Sequence, residues 1–352
     1  MSTEQGSWIE HHVSRQFANP FKLALDLLRE PNPAARSAMF MAGCGLLLTP
    51  LDMALAAFER RLYARARTPT RPILLVAGPP RSGTTLVAQT LINRLDVAYP
   101  NNLTALFPRS PVLSNTLLRP LARPRPGSYD AFYGKSTGLA GANDALYLWD
   151  RWLGADRARV PERLVAGSEV SLPRFFGAFQ ALHDKPIVNK VNRLNTCAHI
   201  VAPVRPAAQF IFLQRDPLLL AQSLYVARAR IVGDLSRAYG VQHPDPCRED
   251  PVEDVCRQVL FLEAQLLAQR DRLPAERCWV ISYEEFCARP GALVARVRRA
   301  FPDIAGRAPA PEIMTPFEVS KRRQLDDDTM QRLQRRLAEL GAGRVACDPL
   351  QD

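Results

Sequence analysis

The stretch AGPPRSGTTL, Ala77 to Leu86, decides how the rest of the chain is interpreted. Gly78 and Gly83 have the spacing of a loop whose backbone N–H groups bind a phosphate at the start of a helix. In the usual loop a lysine and then a serine or threonine follow the second glycine, whereas Thr84 and Thr85 follow it here. The pattern therefore predicts an anion-binding loop, and the missing lysine makes ATP a poor match for it.

The loop itself contains a positive charge. Arg81 stands between the two glycines and offers a fixed charge with a forked set of donors. An ATPase would also hold magnesium through an aspartate after a hydrophobic strand. Asp216 has that place but is followed by Pro217, an order typical of a residue that caps a helix. An arginine without a clear metal partner suits a sulfuryl group, whose oxygens share one negative charge.

Apolar runs and helical stretches alternate through the larger part of the chain. The run at 73–77 enters the loop and the helical stretch 86–95 leaves it, which is the strand, loop and helix order that a phosphate loop requires. Such alternation predicts an α/β fold, a parallel central sheet flanked by helices that binds ligands at the carboxyl ends of its strands. Further strands are expected at 186–189, 209–213 and 278–281, and further helices at 217–232 and 251–272.

The N-terminal part is helical and separate in character, so we divide the chain into an N-terminal helical extension, 1–70, and an α/β domain, 71–352. Thr49-Pro50 places a capping side chain before a proline, which predicts a helix start. Ser37 to Leu51 is nearly uncharged but shorter than the roughly 20 residues of a membrane span. It is either a buried helix or an interfacial helix on the inner face of a membrane. The helix after it has one apolar stripe, with Glu59 off the stripe: Leu51, Leu55, Phe58 and Leu62.

The composition limits the classes of partner. The 352 residues carry a net charge of +11, which suits anionic partners such as nucleotides, sulfated or phosphorylated sugars, or a membrane surface. No basic tract interleaved with aromatic residues occurs, so nucleic acid is not expected as a partner. Seven cysteines, an odd number without CxxC spacing, predict neither a disulfide framework nor a zinc site. The first residues lack the features of a signal peptide, and we expect a cytoplasmic protein.

Two motifs, in this order, resemble those of a known family. PPRSGTTL, residues 79–86, is similar to the 5′-phosphosulfate loop of the sulfotransferases that use 3′-phosphoadenosine 5′-phosphosulfate (PAPS). FIFLQRDPLLLAQS, residues 210–223, is similar to the second motif of these enzymes, a strand followed by Arg-Asp-Pro and a serine. The resemblance implies the P-loop-like sulfotransferase fold, with PAPS as cofactor, 3′-phosphoadenosine 5′-phosphate (PAP) as its product, and no metal.

The resemblance also implies a role for each motif residue. Arg215 and Ser223 would bind the 3′-phosphate, since the arginine leaves the strand end and the serine lies two turns into the next helix. Tyr283, in the similar stretch ISYEEFCARP, would approach the adenine. Arg322, in a late basic run, would either reach the 3′-phosphate or be solvated. KPIVNK, ending at Lys190, matches the family's middle strand. The loop residues that would hold the 5′-phosphosulfate are Pro80, Arg81, Ser82, Gly83, Thr84 and Thr85.

The implied reaction is direct, in-line transfer of the sulfuryl group from PAPS to a hydroxyl or amine. The loop amides and Arg81 would stabilise the charge that grows on the leaving 5′-phosphate. Relatives that modify tyrosines or glycans carry a glutamate base shortly after the loop, but no acid occurs between Asp96 and Asp130 here. We choose Asp144 as the catalytic base, with His183 as the next candidate. Each has an alternative role at a helix end.

The acceptor is expected to be a carbohydrate or glycolipid, as in bacterial enzymes of similar layout. Tyr147, Trp149 and Trp152 either stack on a sugar or pack in the core. Two other interpretations stay open. A nucleotide kinase or ATPase with a degenerate loop would turn over ATP with magnesium, and a scaffold protein would bind nucleotide without catalysis.

Overall fold

The computed structural model describes residues 33–122, 129, 131–132, 135–205, 207–304, 314–341, 347–348 and 350. Its strands are β1 (Ile73–Ala77), β2 (Ala131–Phe132), β3 (Lys135–Ser136), β4 (Ile187–Lys190), β5 (Ala208–Gln214) and β6 (Cys278–Ser282). Its first helices are α1 (Pro33–Arg65), α2 (Thr84–Arg94), α3 (Asn102–Leu106), α4 (Pro111–Leu118), α5 (Leu146–Leu153) and α6 (Ser168–His183). They are followed by α7 (Leu194–Val201), α8 (Pro217–Ala227), α9 (Pro251–Arg272), α10 (Tyr283–Ala288), α11 (Pro290–Ala300) and α12 (Asp327–Glu339).

The central sheet has the strand order β4-β1-β5-β6, and each neighbouring pair is parallel. All five residues of β1 are buried, as a central parallel strand covered on both faces requires. The four apolar runs of the sequence therefore form the predicted parallel sheet. Their carboxyl ends meet at one edge, and the loop that follows β1 lies at that edge.

Helices cover both faces of the sheet, as the α/β pattern predicts. Side chains of β5 alternate between the two faces because successive residues of a strand point in opposite directions. Phe210 and Phe212 pack in a core that includes residues of α5, α6 and α7. Ile211 and Leu213 pack on the other side, against residues of α2, α10 and α11. A third apolar cluster joins α12 to α8 and α9, for example through Leu333. The division of the chain at residue 70 stays a prediction.

One expectation about the N-terminal part is wrong. Thr49-Pro50 does not start a helix, because α1 runs from Pro33 to Arg65 with Pro50 inside it. A proline inside a helix has no N–H for the carbonyl one turn earlier and usually interrupts it. Here Oγ1 of Thr49 donates to the carbonyl oxygen of Gly45 at 2.8 Å. The threonine side chain thus bonds to the preceding turn of α1 and does not cap a helix start.

The side of α1 that is buried also differs from the apolar stripe that the sequence predicts. Asp52 and Glu59 are each 1% exposed, whereas Leu51 and Phe58 are 47% and 54% exposed. Asp52 accepts hydrogen bonds from the backbone N–H of Arg109 and of the residue after it, at 3.1 and 2.9 Å. Glu59 accepts from the first two N–H groups of α4 that follow its proline, at 3.0 and 2.8 Å. Two buried carboxylates thus hold α1 to the α/β domain by capping α4.

Candidate active site

The phosphate loop turns sharply between β1 and α2. Arg81 has a φ of 74° and Gly83 a φ of 101°, both in the left-handed region. Gly83 precedes α2 without a side-chain cap among the described residues. The first N–H groups of α2 therefore have no partner inside the helix and are open toward the loop. This geometry prepares a site for an anion at the positive end of a helix dipole.

Both glycines are required by close packing around the loop. A Cβ added at Gly78 would lie 2.7 Å from the carbonyl oxygen of Leu213 and 2.7 Å from Oγ of Ser82. A Cβ added at Gly83 would overlap the ring of Tyr283. The loop is thus pressed against the end of β5 and the start of α10. These two junctions carry the other motifs that the sequence singled out.

The side chains of those motifs meet at the loop. Nε of Arg81 donates to Oγ of Ser223 at 3.1 Å. Nη1 of Arg215 donates to the carbonyl oxygen of Arg81 at 2.7 Å. The guanidinium of Arg215 also lies over the ring of Tyr283, 5.0 Å from its centroid. Residues far apart in the sequence therefore form one basic cluster beside the open end of α2.

Two buried donors in this cluster are unsatisfied. Nε of Arg215 and Oγ of Ser82 have no hydrogen-bond partner among the described residues. Burial also lowers the pKa of the Arg215 guanidinium, which is the cost of removing its charge from water. Leaving buried polar groups unpaired costs free energy that an anionic ligand would recover. The residues present therefore fit a nucleotide that carries phosphate groups on this side of the sheet.

Lys190, the last residue of β4, connects the loop to the predicted base. Its Nζ lies 3.3 Å from Oγ1 of Thr85 and 3.3 Å from Oδ2 of Asp144. The Lys190 side chain is 7% exposed and that of Asp144 is 22% exposed. Thr84, the residue before Thr85, donates from its Oγ1 to Oδ1 of Asn192 at 2.8 Å. A neighbouring strand thus supplies an ammonium group of the kind that the loop sequence lacks.

Sequence reasoning gave Lys190 no role, although it matched KPIVNK to a strand. A signal was present, because a lysine that ends an otherwise buried strand must have an anionic or polar partner. The parallel pairing of β4 with β1, which brings Val76 opposite Lys190, is what places the amine beside the loop. That pairing is a property of the sheet and is not visible in either segment alone.

Asp144 does not have the helix-capping role that was its alternative. Ala145 precedes α5 and has no side-chain cap. The N–H of Ala145 donates instead to Oδ1 of Asn143 at 2.8 Å. Asp150, by contrast, is held by Arg157 and Arg193 at 2.6 and 2.8 Å. Asp144 is therefore the acid that the structure brings next to the loop through Lys190.

A groove leads from Lys190 along the face of α2. Thr85, Gln89 and Ile92 line one side of it, while Tyr99 and the segment 136–143 line the other. The outer part has a cavity volume of about 60 Å³. Its walls combine amide and hydroxyl groups with an aromatic ring, which is typical of a site that positions a polar ligand.

The structure does not bring His183 to the loop. Its ring packs on Phe179, with the two centroids 4.5 Å apart, and burial lowers its pKa to about 4. The next residue, Asp184, forms an ion pair with Arg71 at 2.9 Å. Arg71 precedes β1, so His183 lies at the edge of the sheet where strands begin, opposite the loop. We therefore remove His183 from the candidate site.

Two further predicted residues lie at the margin of the site. The carbonyl oxygen of Arg322 accepts a hydrogen bond of 3.1 Å from Gln222, the neighbour of Ser223, while its side chain is exposed. Pro80 packs against Gly240, where an added Cβ would lie 2.6 Å from Cγ of the proline. Arg322 is thus within the neighbourhood of Ser223, and Pro80 shapes the loop rather than offering a donor.

The two tryptophans of α5 belong to the core. Trp149 is fully buried and Trp152 is 2% exposed. Nε1 of Trp149 donates to Oδ1 of Asn189 at 2.9 Å. Tyr147 is covered by the guanidinium of Arg157, 4.7 Å from its ring centroid. The interpretation that Trp149 and Trp152 stack on a sugar is therefore wrong, because both rings are buried in the core.

Comparison with protein families matches residues 72–302 to the sulfotransferase family. The chain belongs to the sulfotransferase family. The matched range contains the loop, the strand with Arg215, Ser223 and the start of α10. No curated protein matches the chain.

Solved structures of bacterial sulfotransferases align with most of the chain. One from Mycobacterium avium has 15% identity and a TM-score of 0.49, and the alignment covers 94% of this chain and 84% of that one. One from Mycobacterium tuberculosis H37Rv has 13% identity and a TM-score of 0.45, with 89% and 85% covered. One from Alicyclobacillus acidocaldarius has 16% identity and a TM-score of 0.39, with 77% and 93% covered. At these values the family match, and not the structural likeness, carries the assignment.

Proposed function

We propose that this protein transfers a sulfuryl group from PAPS to a hydroxyl or amine of a carbohydrate or glycolipid in the cytoplasm. The observation that carries the proposal is the joining of two motifs at one loop. Arg215 holds the carbonyl of Arg81, and Arg81 holds the hydroxyl of Ser223. An ATP-hydrolysing site would need Asp216 free for magnesium, but its Oδ1 accepts from the N–H groups of Leu218 and Leu219.

The residues present suit the two ends of such a donor. The open N–H groups after Gly83 and the side chain of Arg81 would hold the phosphosulfate. Arg215, with its unsatisfied Nε, and Ser223 would hold the 3′-phosphate. Tyr283 would lie on the nucleoside side, since its ring packs behind Gly83 and under Arg215. PAPS supplies an activated sulfuryl group, whose departure leaves PAP.

Residues at the inner end of the groove would stabilise the charge that develops and accept the proton that is released. In the proposed transfer the acceptor oxygen would bond to sulfur, the bond from sulfur to the 5′-phosphate oxygen would break, and the acceptor would lose its proton. Arg81 and Lys190 would stabilise negative charge on the leaving oxygen, a fixed electrostatic effect of about 3 to 4 kcal/mol per donor. Asp144, 3.3 Å from Lys190, would accept the proton.

The groove supports a sugar as the acceptor. Its lining includes the amides of Gln89 and Asn93, the hydroxyl of Ser136, which accepts from Gln89 at 3.0 Å, and the ring of Tyr99. A sugar presents many hydroxyl groups and one apolar ring face, so both kinds of wall would be used. A lipid-linked sugar would be met at the inner face of the membrane.

The proposal is tested by incubating the protein with PAPS and a panel of para-nitrophenyl glycosides, with EDTA present. We expect PAP to form at a rate that depends on the acceptor, and Lys190→Met to reduce that rate by about 100-fold or more. Arg159→Ala, at an 87% exposed side chain, is the matched control. Magnesium-dependent ATP turnover without PAP formation would show a kinase or ATPase instead. Binding of PAP without turnover of any acceptor would indicate a scaffold protein.

A further inference from the structure

The charges on α1 are divided between its two sides. Between Arg36 and Arg60 the helix contains two charged residues, Asp52 and Glu59, and both are 1% exposed. The charged side chains that α1 exposes are all arginines: Arg36, Arg60, Arg61 and Arg65. The solvent-facing side of α1, which is polar in most helices, is therefore apolar along its middle and basic at both ends.

Four of the five large apolar side chains that the described part of α1 exposes form one narrow stripe, and Met53 lies off it. Phe40 is 71% exposed, Leu47 83%, Leu51 47% and Phe58 54%. Because a helix turns by about 100° per residue, these four positions fall within about 40° of one another around the axis. Large side chains exposed in a row of this length usually mark a surface that another phase or molecule covers.

The arginines continue the stripe at its ends. Arg36 precedes Phe40 by one turn, and Arg61 and Arg65 follow Phe58 on the same side of the helix. The guanidinium of Arg61 also lies 5.5 Å from the ring centroid of Phe58. An apolar stripe flanked by arginines is the pattern of a helix that lies in a bilayer surface among anionic headgroups.

We infer that the exposed face of α1 docks this protein on an anionic lipid surface, with the helix lying in the plane of the membrane. The stretch from Met39 to Arg65 has the length and hydropathy of a membrane span by composition. A spanning orientation would pull Asp52 and Glu59 away from the N–H groups that they cap. Lying flat keeps those bonds and covers the stripe. This inference does not depend on the identity of the donor nucleotide.

A second copy of the chain suits the face less well. Symmetric pairing along α1 would bring arginines against arginines, either Arg36 against Arg61 of the partner or Arg61 against itself. No acidic side chain is exposed on α1 to offset that repulsion. Anionic lipid supplies the opposite charge at both ends.

The test is co-sedimentation of the full chain with vesicles of phosphatidylcholine containing a minority of phosphatidylglycerol, and with vesicles of phosphatidylcholine alone. We expect binding to the anionic vesicles that weakens with salt. Leu47→Ser and Phe40→Ser should each reduce partitioning about tenfold or more. Arg61→Gln and Arg65→Gln should each reduce it about fivefold on anionic vesicles only. Met53→Ser is the control, because Met53 is 57% exposed but lies on the other side of α1.

PAP affinity and thermal unfolding should stay unchanged in these variants, which separates docking from failure of the active site. If the Phe40 variant unfolds, Leu47→Ser decides the question, since Leu47 is the most exposed of the four. Sedimentation equal to the unmodified protein in Leu47→Ser, or an equal loss in Met53→Ser, would overturn the inference. So would a dimer in light scattering that Leu47→Ser converts to a monomer.

Discussion

Arg215 donates a hydrogen bond of 2.7 Å from Nη1 to the carbonyl oxygen of Arg81, so the end of β5 holds the phosphate loop in its turn. Arg81 has a φ of 74°, a conformation that costs a residue with a side chain about 1 to 2 kcal/mol. The bond from Arg215 offsets part of that cost. It also fixes the distance between the two places where the donor's anionic groups would bind.

The first prediction concerns the contact between Gly83 and Tyr283. Gly83→Ala should lower the free energy of unfolding by about 1 to 2 kcal/mol from the left-handed backbone alone, and by more because the new methyl meets the ring. Urea unfolding measures the change. In a Tyr283→Ala background the ring is gone, so Gly83→Ala should cost clearly less. An equal cost in both backgrounds would show that the ring contact is not what excludes a side chain.

The second prediction separates a base from a structural residue. Asp144→Asn should reduce turnover by about 100-fold or more. The protein should stay folded and bind PAP, because Asp144 caps no helix and the asparagine oxygen can still accept a hydrogen bond from Lys190. Asp150→Asn should instead destabilise the protein by about 3 kcal/mol, because it breaks a buried network with Arg157 and Arg193. Near-normal turnover in Asp144→Asn removes that residue from the mechanism.

A third prediction concerns pH. Burial and the charge of Asp216 raise the pKa of Glu263 to about 7, and its Oε1 has no partner among the described residues. The folded protein then binds a proton that the unfolded chain releases, so stability falls as pH rises from about 4.5 to about 7. The loss is on the order of 3 kcal/mol. Urea unfolding at several pH values should show Glu263→Gln to be the more stable protein at pH 8, with Glu276→Gln as an exposed control.

If the difference in the free energy of unfolding between Glu263→Gln and the unmodified protein did not change across that pH range, this account would be contradicted. It would mean that Glu263 is solvated or already neutralised by a partner. The result bears on the site, because Glu263 lies behind the strand end that carries Arg215.

Much of the fold could be predicted because the strands are buried on both faces. Each of β1, β4, β5 and β6 coincides with an apolar run, and α9 has the predicted bounds. The loop and the residues around it follow from motif spacing, so Arg81, Ser223 and Tyr283 were expected near one another. Asp216 caps α8 through its Oδ1, as its place before Pro217 predicts.

Other features depend on contacts that the sequence does not display. The burial of Asp52 and Glu59 follows from the unpaired N–H groups of α4, which lies far away in the chain. Pro50 lies inside α1, although a threonine followed by a proline is typical of a helix start. Trp149 is buried in the core and donates a hydrogen bond to Asn189. Lys190 lies beside the loop only because β4 pairs with β1. Local pattern predicts the elements, but contacts between elements decide the burial of Asp52, Glu59 and Trp149 and the position of Lys190.

The central claim is that the loop binds an adenosine phosphosulfate donor without metal, and calorimetric titration with PAP in EDTA tests it most directly. The account predicts tight binding of PAP, much weaker binding of ATP with magnesium, and losses of about 1.5 to 3 kcal/mol in Arg81→Ala and in Arg215→Ala. Arg159→Ala should bind PAP like the unmodified protein. Unchanged PAP affinity in both loop variants, or tighter binding of ATP with magnesium than of PAP, would contradict it.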